Sequence, residues 1–386
     1  MTPSGITTGW RSCELGDVIT LQRGHDLPET MRRDGAVPIV SSSGPTGLHN
    51  EAKAKGPGVV TGRCGTLGEV YYVTEDYWPL NTTLYVKDFK GNDARFIAYY
   101  LQTMNLERFN GAGAVPGLNR NHLHKLRIRF PVEATIQQSI VAHLSHFDDL
   151  IENNRRRIVL LEEAAQQLYK EWFVRLRFPG HERTKIVDGL PEGWERSSLK
   201  ALCESVSYGF TASADPAPIG PKFLRITDIV PSVIEWPDVP HCQIPDGKRE
   251  QFLLRTGDCV VARTGATVGY AKRLHKRFPE SIFASYLVRL RPQSEELSYL
   301  VGLFVESDAY KSFIMANVGG AAQPNANAQV IARPAVLVPD EATLSAFRFV
   351  VEPILDQRDN LIAQNSFLRE ARDLLLPRLM SGEIEV

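Results

Sequence analysis

The chain has 386 residues, of which 43% are hydrophobic and 23% charged, and its net charge is −1. This length predicts two or three domains with buried cores, and the near-neutral charge gives no overall indication of a nucleic-acid partner. No apolar run approaches the ~20 residues that cross a bilayer, and the start shows no signal-peptide pattern. The five scattered cysteines include no C-x-x-C pair. This predicts reduced thiols, no metal site and a cytoplasmic protein.

The charges are segregated along the chain. Residues 108–129 carry five basic side chains and no acidic one, and residues 263–277 repeat that composition. Residues 133–171 instead carry seven acids against four bases. Two basic islands in a neutral chain are typical of a protein that meets a polyanion on one face and other proteins elsewhere.

The first segment, residues 1–135, predicts an α+β domain. Short apolar runs such as GEVYYV and TTLYVKDF alternate with Gly and Pro and predict strands, whereas ARFIAYYLQTM (94–104) predicts a helix. Polar loops separate these elements, namely SSSGPTG (41–47), the end of VVTGRCGTLG (59–68), and residues 119–121.

Residues 136–173 predict a long spacer helix. Its apolar positions recur by alternating fours and threes, which is the period of a coiled-coil seam. A continuous helix of this length spans ~57 Å at ~1.5 Å per residue, more than the diameter of a small domain. The alternative, an amphipathic helix packed on its own domain, stays open. The predicted seam residues are Leu144, Phe147, Ile151, Asn154, Ile158, Leu161 and Leu168.

Residues 174–193 predict a linker, and residues 194–342 predict a second domain that repeats the first. VVARTGATVG (260–269) matches VVTGRCGTLG at an offset of 200, and Asn327 matches Asn119 at an offset of 208. Further on, DNLIAQN (359–365) matches DDLIENN at an offset of 211. Ordered matches over half the chain predict a tandem duplication of one domain-plus-helix unit.

Residues 343–386 predict the C-terminal spacer helix. Asn365 falls on the repeat position of Asn154, and a lone Asn in an apolar seam lowers stability but fixes register and pairing. The predicted seam residues of this helix are Ile354, Leu361, Asn365, Leu368 and Leu375.

The sequence predicts no catalytic residue. A nucleoside-triphosphatase loop needs a Lys after its second glycine, but Glu69 and Tyr270 stand at that position in the two loops. The dinucleotide pattern is not met, and no H-E-x-x-H, G-x-S-x-G or Asn/Asp-Pro-Pro-aromatic motif occurs. A nucleotide-dependent transferase and a scaffold protein without a DNA role stay open as alternatives.

The polar loops favour binding to DNA. Glycines let the backbone approach a ligand, and Arg, Thr and free N–H groups suit phosphate oxygens. Arg also suits guanine, and Asn or Gln suits adenine. The alternative is a tight turn whose Arg pairs with a nearby acid. The predicted DNA contacts are Ser41, Ser42, Ser43, Thr61, Arg63, Asn119, Arg120, Asn121, Lys125, Lys222, Arg225, Thr227, Arg263, Thr264, Thr267, Gln323, Asn325 and Asn327.

The order of these motifs carries a family resemblance. FLRITDI (223–229), LLRTGDCVVARTGATVG (253–269) and GAAQPNANAQVIARPAVLVP (320–339), followed by a long helix, resemble the specificity subunit of type I restriction-modification systems. The first half is similar in order, from LGDVITLQRG (15–24) through PIVSSSGPTG to the helix that begins IQQSIVAHL. The resemblance covers nearly the entire chain.

The resemblance implies an α+β fold with two tandemly duplicated target-recognition domains separated by two long antiparallel coiled-coil helices. The expected segments are the N-terminal target-recognition domain (1–135), the central spacer helix (136–173), the linker (174–193), the second target-recognition domain (194–342) and the C-terminal spacer helix (343–386). The first half departs from the pattern because PIVSSSGPTG replaces FLRxxDI and its Arg loop is one residue shorter. The two domains are therefore expected to read different half-sites.

The resemblance also implies the function and the partners. Each domain would read one half of a bipartite target in double-stranded DNA. The paired helices would set the spacer and dock two methyltransferase (modification) subunits, which methylate adenine, and restriction-translocase subunits would join that core in defence against foreign DNA. S-adenosylmethionine, ATP and Mg would be bound by those partners, and no cofactor by this chain.

Overall fold

The computed structural model describes residues 9–110, 117–318 and 324–386, which form two compact units. The first unit comprises residues 1–151 and 366–386, and the second comprises residues 152–365. Both mix helices and strands, so the predicted α+β class is confirmed. None of the described helices is long and apolar enough to span a membrane.

The strands before the first long helix are β1 (Trp10–Glu14), β2 (Thr20–Arg23), β3 (Val37–Ser41), β4 (Gly44–His49), β5 (Gly58–Gly62), β6 (Val70–Val73), β7 (Trp78–Pro79), β8 (Thr83–Asp88) and β9 (Arg127–Pro131). The helices are α1 (Leu15–Val18), α2 (Ala94–Thr103), α3 (Arg120–His124) and the long α4 (Ala134–Tyr169), which continues as a π-helical turn, Lys170–Val174.

The following strands are β10 (Ile186–Val187), β11 (Leu190–Pro191), β12 (Glu195–Ser198), β13 (Cys203–Tyr208), β14 (Lys222–Leu224), β15 (Cys259–Ala262), β16 (Ala271–Arg273), β17 (Ser281–Phe283), β18 (Leu287–Pro292) and β19 (Ala335–Val338). The helices are α5 (Leu199–Leu202), α6 (Ile226–Ile229), α7 (Asp246–Phe252), α8 (Glu295–Val305), α9 (Asp308–Ala316), α10 (Ala328–Ala332) and the long α11 (Glu341–Met380).

The two halves share one sheet topology. The order β2-β8-β5-β6 in the first half recurs as β13-β18-β15-β16 in the second. The antiparallel pair β1-β9 recurs as β12-β19, and the short parallel pair β3-β7 recurs as β14-β17. Equivalent strands in an equivalent order confirm the predicted duplication.

Equivalent helices also begin in the same way. Asp93 accepts a hydrogen bond from the N–H of Phe96 at the start of α2, and Ser294 accepts one from Leu297 at the start of α8. Each cap satisfies an N–H group that has no partner inside its helix. Both helices bury apolar faces in the core, so the same local signal sets the same element in each half.

Aromatic side chains pack together in the core of each unit. In the first unit, the rings of Phe96 and Tyr100 lie 5.5 and 5.4 Å from Phe130. In the second, Phe347 of α11 lies 5.4 Å from Trp172 and 4.7 Å from Phe173, which follow α4. Buried aromatic pairs add packing energy to the area that they bury. The long helices are therefore part of each domain core as well as of a helix pair.

The long helices run antiparallel within each unit. In the second unit, Asn154 hydrogen-bonds Asn365 (3.0 Å) and Glu162 pairs with Arg358 (3.4 Å). The residue numbers therefore increase along α4 as those of its partners on α11 decrease, as in an antiparallel pair. In the first unit, Asp148 pairs with Arg372 (2.7 Å). At about 1.5 Å per residue, α4 is about 54 Å long and α11 about 60 Å. The predicted pair of long antiparallel helices is confirmed.

The predicted seam positions divide into two groups. Six are buried, namely Leu144, Ile151, Asn154, Ile158, Leu361 and Asn365. Six are half-buried, namely Phe147, Leu161, Leu168, Ile354, Leu368 and Leu375. Leu355, Arg358 and Leu376 are also buried, although they were not among the predicted seam residues. A charged residue inside the apolar period of α11 obscures the pattern there.

Asn154 and Asn365 form a buried polar contact in this seam, with 6% and 2% of their surfaces exposed. We expect Asn154→Ala to lower the free energy of unfolding by about 1–3 kcal/mol, because Asn365 loses this partner in a buried setting. The double variant Asn154→Leu with Asn365→Leu removes both polar groups and should be more stable than Asn154→Ala.

Urea unfolding of the full chain, followed by circular dichroism, measures this difference. The exposed neighbour supplies the control, Asn153→Ala, which should leave the midpoint unchanged. An unchanged midpoint for Asn154→Ala would contradict the prediction.

Candidate nucleic-acid interface

Two arginines occupy the same backbone setting in the two domains. The N–H of Arg63 donates to the carbonyl of Thr82 (2.8 Å), and its carbonyl accepts from Leu118 (2.9 Å). In the second domain, Arg263 donates to Tyr286 (3.0 Å) and accepts from Ala326 (2.8 Å). We call this setting the arginine frame, defined by these two backbone bonds at residue 63 or 263.

The glycines in each loop are required by backbone conformation. Gly65 and Gly265 have φ of 84° and 77°, and Gly68 and Gly269 have φ of 85° and 86°. Residues with a Cβ rarely adopt this left-handed region. The Arg-x-Gly pattern is therefore a tight turn that presents the arginine beyond the end of a buried strand. This part of the tight-turn alternative is correct.

In the first domain, the arginine frame opens onto a cleft of about 620 Å³. The described residues that line it are Arg23, Arg63, Cys64, Leu84, Gly117, Leu118, Asn119, Arg120 and Asn121. None of these described lining residues is acidic. The three guanidinium groups make the cleft a site for acceptor-rich or anionic ligands. The structure thus brings together four of the predicted contacts with residues that the prediction missed.

In the second domain, neighbouring side chains hold the arginine. Arg263 donates from Nη2 to Oδ1 of Asn325 (3.1 Å), and its guanidinium carbon lies 4.7 Å from the ring centre of Tyr208. The ring accepts the cation through its negative face. The tight-turn alternative predicted an acid as the partner of Arg263, but the guanidinium instead meets an amide and an aromatic ring.

The two matched asparagines are helix caps. The side chain of Asn119 accepts a hydrogen bond from the N–H of Asn121 (2.9 Å) at the start of α3. Asn327 likewise accepts from Val330 (2.8 Å) at the start of α10. Both asparagines are exposed. The capping bond holds the side-chain oxygen of each asparagine, while the side-chain NH2 group of the same residue stays open to solvent.

Four more predicted contacts of the first domain lie at its surface. Ser41, Ser42 and Ser43 form the turn between β3 and β4, and a Cβ on Gly65 would lie 3.3 Å from the Ser42 hydroxyl. This turn therefore lies against the Arg63 loop. Lys125 is exposed at the end of α3.

Thr61 needs a correction. The side chain lies inside β5 and only 1% of the residue surface is exposed. It follows two buried valines in an uninterrupted buried strand, which places it in the domain interior rather than at a DNA surface. Thr61 is therefore removed from the set of proposed contacts.

Two basic residues of the second domain that were predicted to contact DNA, Lys222 and Arg225, make hydrogen bonds within the chain. Lys222 donates from Nζ to the carbonyls of Pro237 (3.1 Å) and Val239 (2.6 Å). Arg225 makes two side-chain bonds to Asp228, at 3.0 and 2.8 Å, where it begins α6. These bonds occupy two of the three donors of the Lys222 ammonium group and two of the five donors of the Arg225 guanidinium group.

Two of the remaining predicted contacts of the second domain, Thr264 and Thr267, belong to the Arg263 loop. Thr264 forms a β-bridge with Asn325, and Thr267 lies in the loop itself, both outside the buried core. Thr227 is exposed on α6. Gln323 lies outside the described residues.

Several side chains of the second basic island have partners within the chain. Arg273 is 4% exposed and donates to Ser298 (2.9 Å). Lys276 pairs with Glu352 of α11 (2.6 Å), and Arg277 donates to Asn360 of the same helix (2.6 Å). Lys276 and Arg277 thus contact the domain's own long helix, although both remain exposed.

The first basic island is more open. Arg108, Arg120, Lys125 and Arg127 are exposed and make no ion pair within the described part of the chain. His124 does not add to this charge. Burial, together with the nearby positive charges of Arg120 and Lys90, lowers the pKa of His124. Its Nε2 accepts a hydrogen bond from the N–H of Leu21 (2.9 Å), which fits the neutral ring.

Comparison with known proteins finds a family domain in the first part of the chain and similar proteins over most of its length. Residues 7–163 match the model of the type I restriction modification DNA specificity domain. The chain is 27% identical over 304 residues to the specificity subunit of the type I restriction enzyme MjaIX from Methanocaldococcus jannaschii, covering 75% of this chain and 68% of that protein. It is 24% identical over 334 residues to the HindI specificity subunit from Haemophilus influenzae, covering 71% and 72%.

A solved structure has the same fold. The crystal structure of a type I restriction-modification S subunit from M. genitalium aligns over 98% of each chain with a TM-score of 0.57 and 14% identity. At this identity the likeness shows a common fold, and it extends over both repeated halves and both long helices. The matched domain and the curated relatives confirm the predicted resemblance to the specificity subunits of type I restriction-modification systems.

The capping role of Asn327 gives a stability prediction. Asn327→Ala removes the side-chain bond to Val330 and should lower the free energy of unfolding by about 0.5–2 kcal/mol, whereas Asn327→Ser keeps a capping oxygen. Thermal unfolding of the full chain compares the two variants. Gln329→Ala, at an exposed position of the same helix, is the control. Equal losses for the Ala and Ser variants would contradict the capping role.

Proposed function

We propose that each target-recognition domain reads one half of a bipartite DNA target through its arginine frame. The observation that carries this proposal is the repetition of the frame: Arg63 and Arg263 make the same two backbone bonds beside a loop with left-handed glycines. Arginine is the side chain that most often contacts guanine in the major groove, and it also binds phosphate. The proposed first-domain contacts are Ser41, Ser42, Ser43, Arg63, Asn119, Arg120, Asn121 and Lys125.

In the second domain, the proposal rests mainly on Arg263, Thr264, Asn325 and Asn327. Thr227 and Thr267 remain surface candidates, and Lys222 and Arg225 are proposed to position the β14–α6 segment rather than to bind DNA. The proposed contact residues differ in part between the two domains, which agrees with the proposal that the two half-sites differ. Gln323 stays a predicted contact.

We further propose that the two long helices set the spacer between the half-sites and dock two methyltransferase subunits. Helices of about 54 and 60 Å each exceed one turn of DNA, which is about 34 Å. The proposed segments keep the predicted bounds of 1–135, 136–173, 174–193, 194–342 and 343–386. Restriction-translocase subunits would join through the complex, in the cytoplasm.

The proposed division of labour leaves the chemistry to the partners. Within the described residues, no group of three or more His, Cys, Asp or Glu side chains could hold a metal ion. Burial raises the pKa of the Cys203 thiol to about 12, which keeps it protonated and unreactive. S-adenosylmethionine, ATP and Mg would be used by the partner subunits, which methylate adenine.

Mapping of methylated adenines tests the proposed function. A host that carries this chain with its methyltransferase subunits should show one split motif, with two short specified halves and a fixed unspecified spacer. A host that carries the methyltransferase alone is the control. Methylation without a split motif, or none despite intact partners, would favour the scaffold alternative.

Arginine substitutions give the matching binding prediction. Arg63→Ala and Arg263→Ala should each weaken binding of the complex to its target duplex by about 1–3 kcal/mol, roughly 5- to 150-fold in Kd. Each variant should relax the motif in a different half. Fluorescence titration of a labelled duplex measures the Kd, and Arg249→Ala is the control on a surface ion pair of the second domain. Unchanged affinity for Arg263→Ala would contradict the proposed role.

A further inference from the structure

The arginine frame has one neighbouring position that differs between the domains. In the first domain, Arg23 ends β2 and pairs with Leu84 of β8. In the second, Tyr208 ends β13 and pairs with Val288 of β18. Because β2 and β8 correspond to β13 and β18 in the shared sheet order, Arg23 and Tyr208 occupy equivalent places beside the two framed arginines.

The residues that follow support this equivalence. A Cβ on Gly24 would lie 2.1 Å from the carbonyl oxygen of Leu80, and a Cβ on Gly209 would lie 2.2 Å from that of Ala284. Both glycines therefore permit the same close approach of backbone segments. The two segments leave their strands along the same path, so the difference between Arg23 and Tyr208 is one of side chain alone.

In the second domain, Tyr208 contacts the side chain of Arg263 and helps to hold it in place. Its ring lies under the Arg263 guanidinium, and its hydroxyl accepts a hydrogen bond from the N–H of Ala328 (2.9 Å). Asn325 holds the same guanidinium from another direction. The β-bridge of residue 64 with Gly117 corresponds to that of residue 264 with Asn325, so the first domain has a glycine where the second has this amide.

In the first domain, the equivalent position carries a second guanidinium. Arg23 is exposed and lines the same cleft as Arg63 and Arg120. Within the described residues, no ion pair engages any of these three side chains. Their five-donor planar groups suit a ligand edge with two adjacent acceptors. In the major groove, guanine offers that edge through O6 and N7.

We propose that Arg23 is a specificity-determining residue that selects guanine in the half-site read by the first domain. This inference rests on the proposed function and deepens it. Arg63 is the anchor that both domains share, and Arg23 is the additional donor that only the first domain has. Tyr208 removes that donor from the second domain, which makes the corresponding position of its half-site insensitive to guanine.

Single-atom changes in the DNA test this inference. In the split target motif, each guanine is replaced in turn by 7-deazaguanine, which lacks the N7 acceptor, and the Kd of the complete complex is measured. One guanine should weaken binding of the unmodified complex by about 5- to 150-fold when replaced. The Arg23→Ala complex should bind this duplex and the normal duplex equally.

Two further variants separate base recognition from other effects. Arg33→Ala, at another exposed position of the first domain, should keep the full response to 7-deazaguanine. Arg23→Lys keeps the charge without the planar fork and should keep phosphate attraction while losing most of the response. Because Arg23 is exposed, thermal unfolding of the variants should match that of the unmodified chain.

The outcomes distinguish this inference from the proposed function. No split motif in the unmodified complex would overturn both. A split motif without a guanine that depends on N7, or an Arg23→Ala complex that keeps the response, would overturn the role of Arg23 alone. That role is also overturned if Arg23→Ala weakens binding to every duplex by one factor and flattens the salt dependence, since this behaviour marks a phosphate contact.

Discussion

Antiparallel pairing of the two long helices is the constraint on which both compact units depend. Each unit contains a segment of α4 and a segment of α11, so neither core is complete until residues far apart in the chain pair. The pairing is specified by polar groups within an apolar seam. Asn154 and Asn365 hydrogen-bond each other, and the buried Arg358 pairs with Glu162. A shifted register would break both contacts between the helices, which opposes alternative pairings.

The local sequence predicted those features that local physics determines. The doubled Arg-x-Gly loops were visible because left-handed turns require glycine, and the strands preceding them were visible as short apolar runs. The long helices followed from the spacing of apolar residues. The duplication then followed from the ordered repetition of such signals. The α+β class and the helix pair could therefore be predicted from sequence.

The composition of the site depended on contacts between distant segments. Arg23 and Tyr208 reach the arginine frames through strand pairing across some sixty to eighty residues, for which the sequence has no local signal. The internal partners of the second basic island were hidden for the same reason, since Lys276 meets Glu352 on a helix 76 residues away. Thr61 was misassigned because a threonine in a fully buried strand resembles one at the start of a polar loop.

The contact between Asn154 and Asn365 joins two positions that correspond to each other in the repeated sequence. Contact of a residue with its own counterpart across antiparallel helices is the mark of a local two-fold axis, as in an isologous dimer. Within the second unit, this contact therefore makes the helix pair self-complementary at a position that the two repeats share.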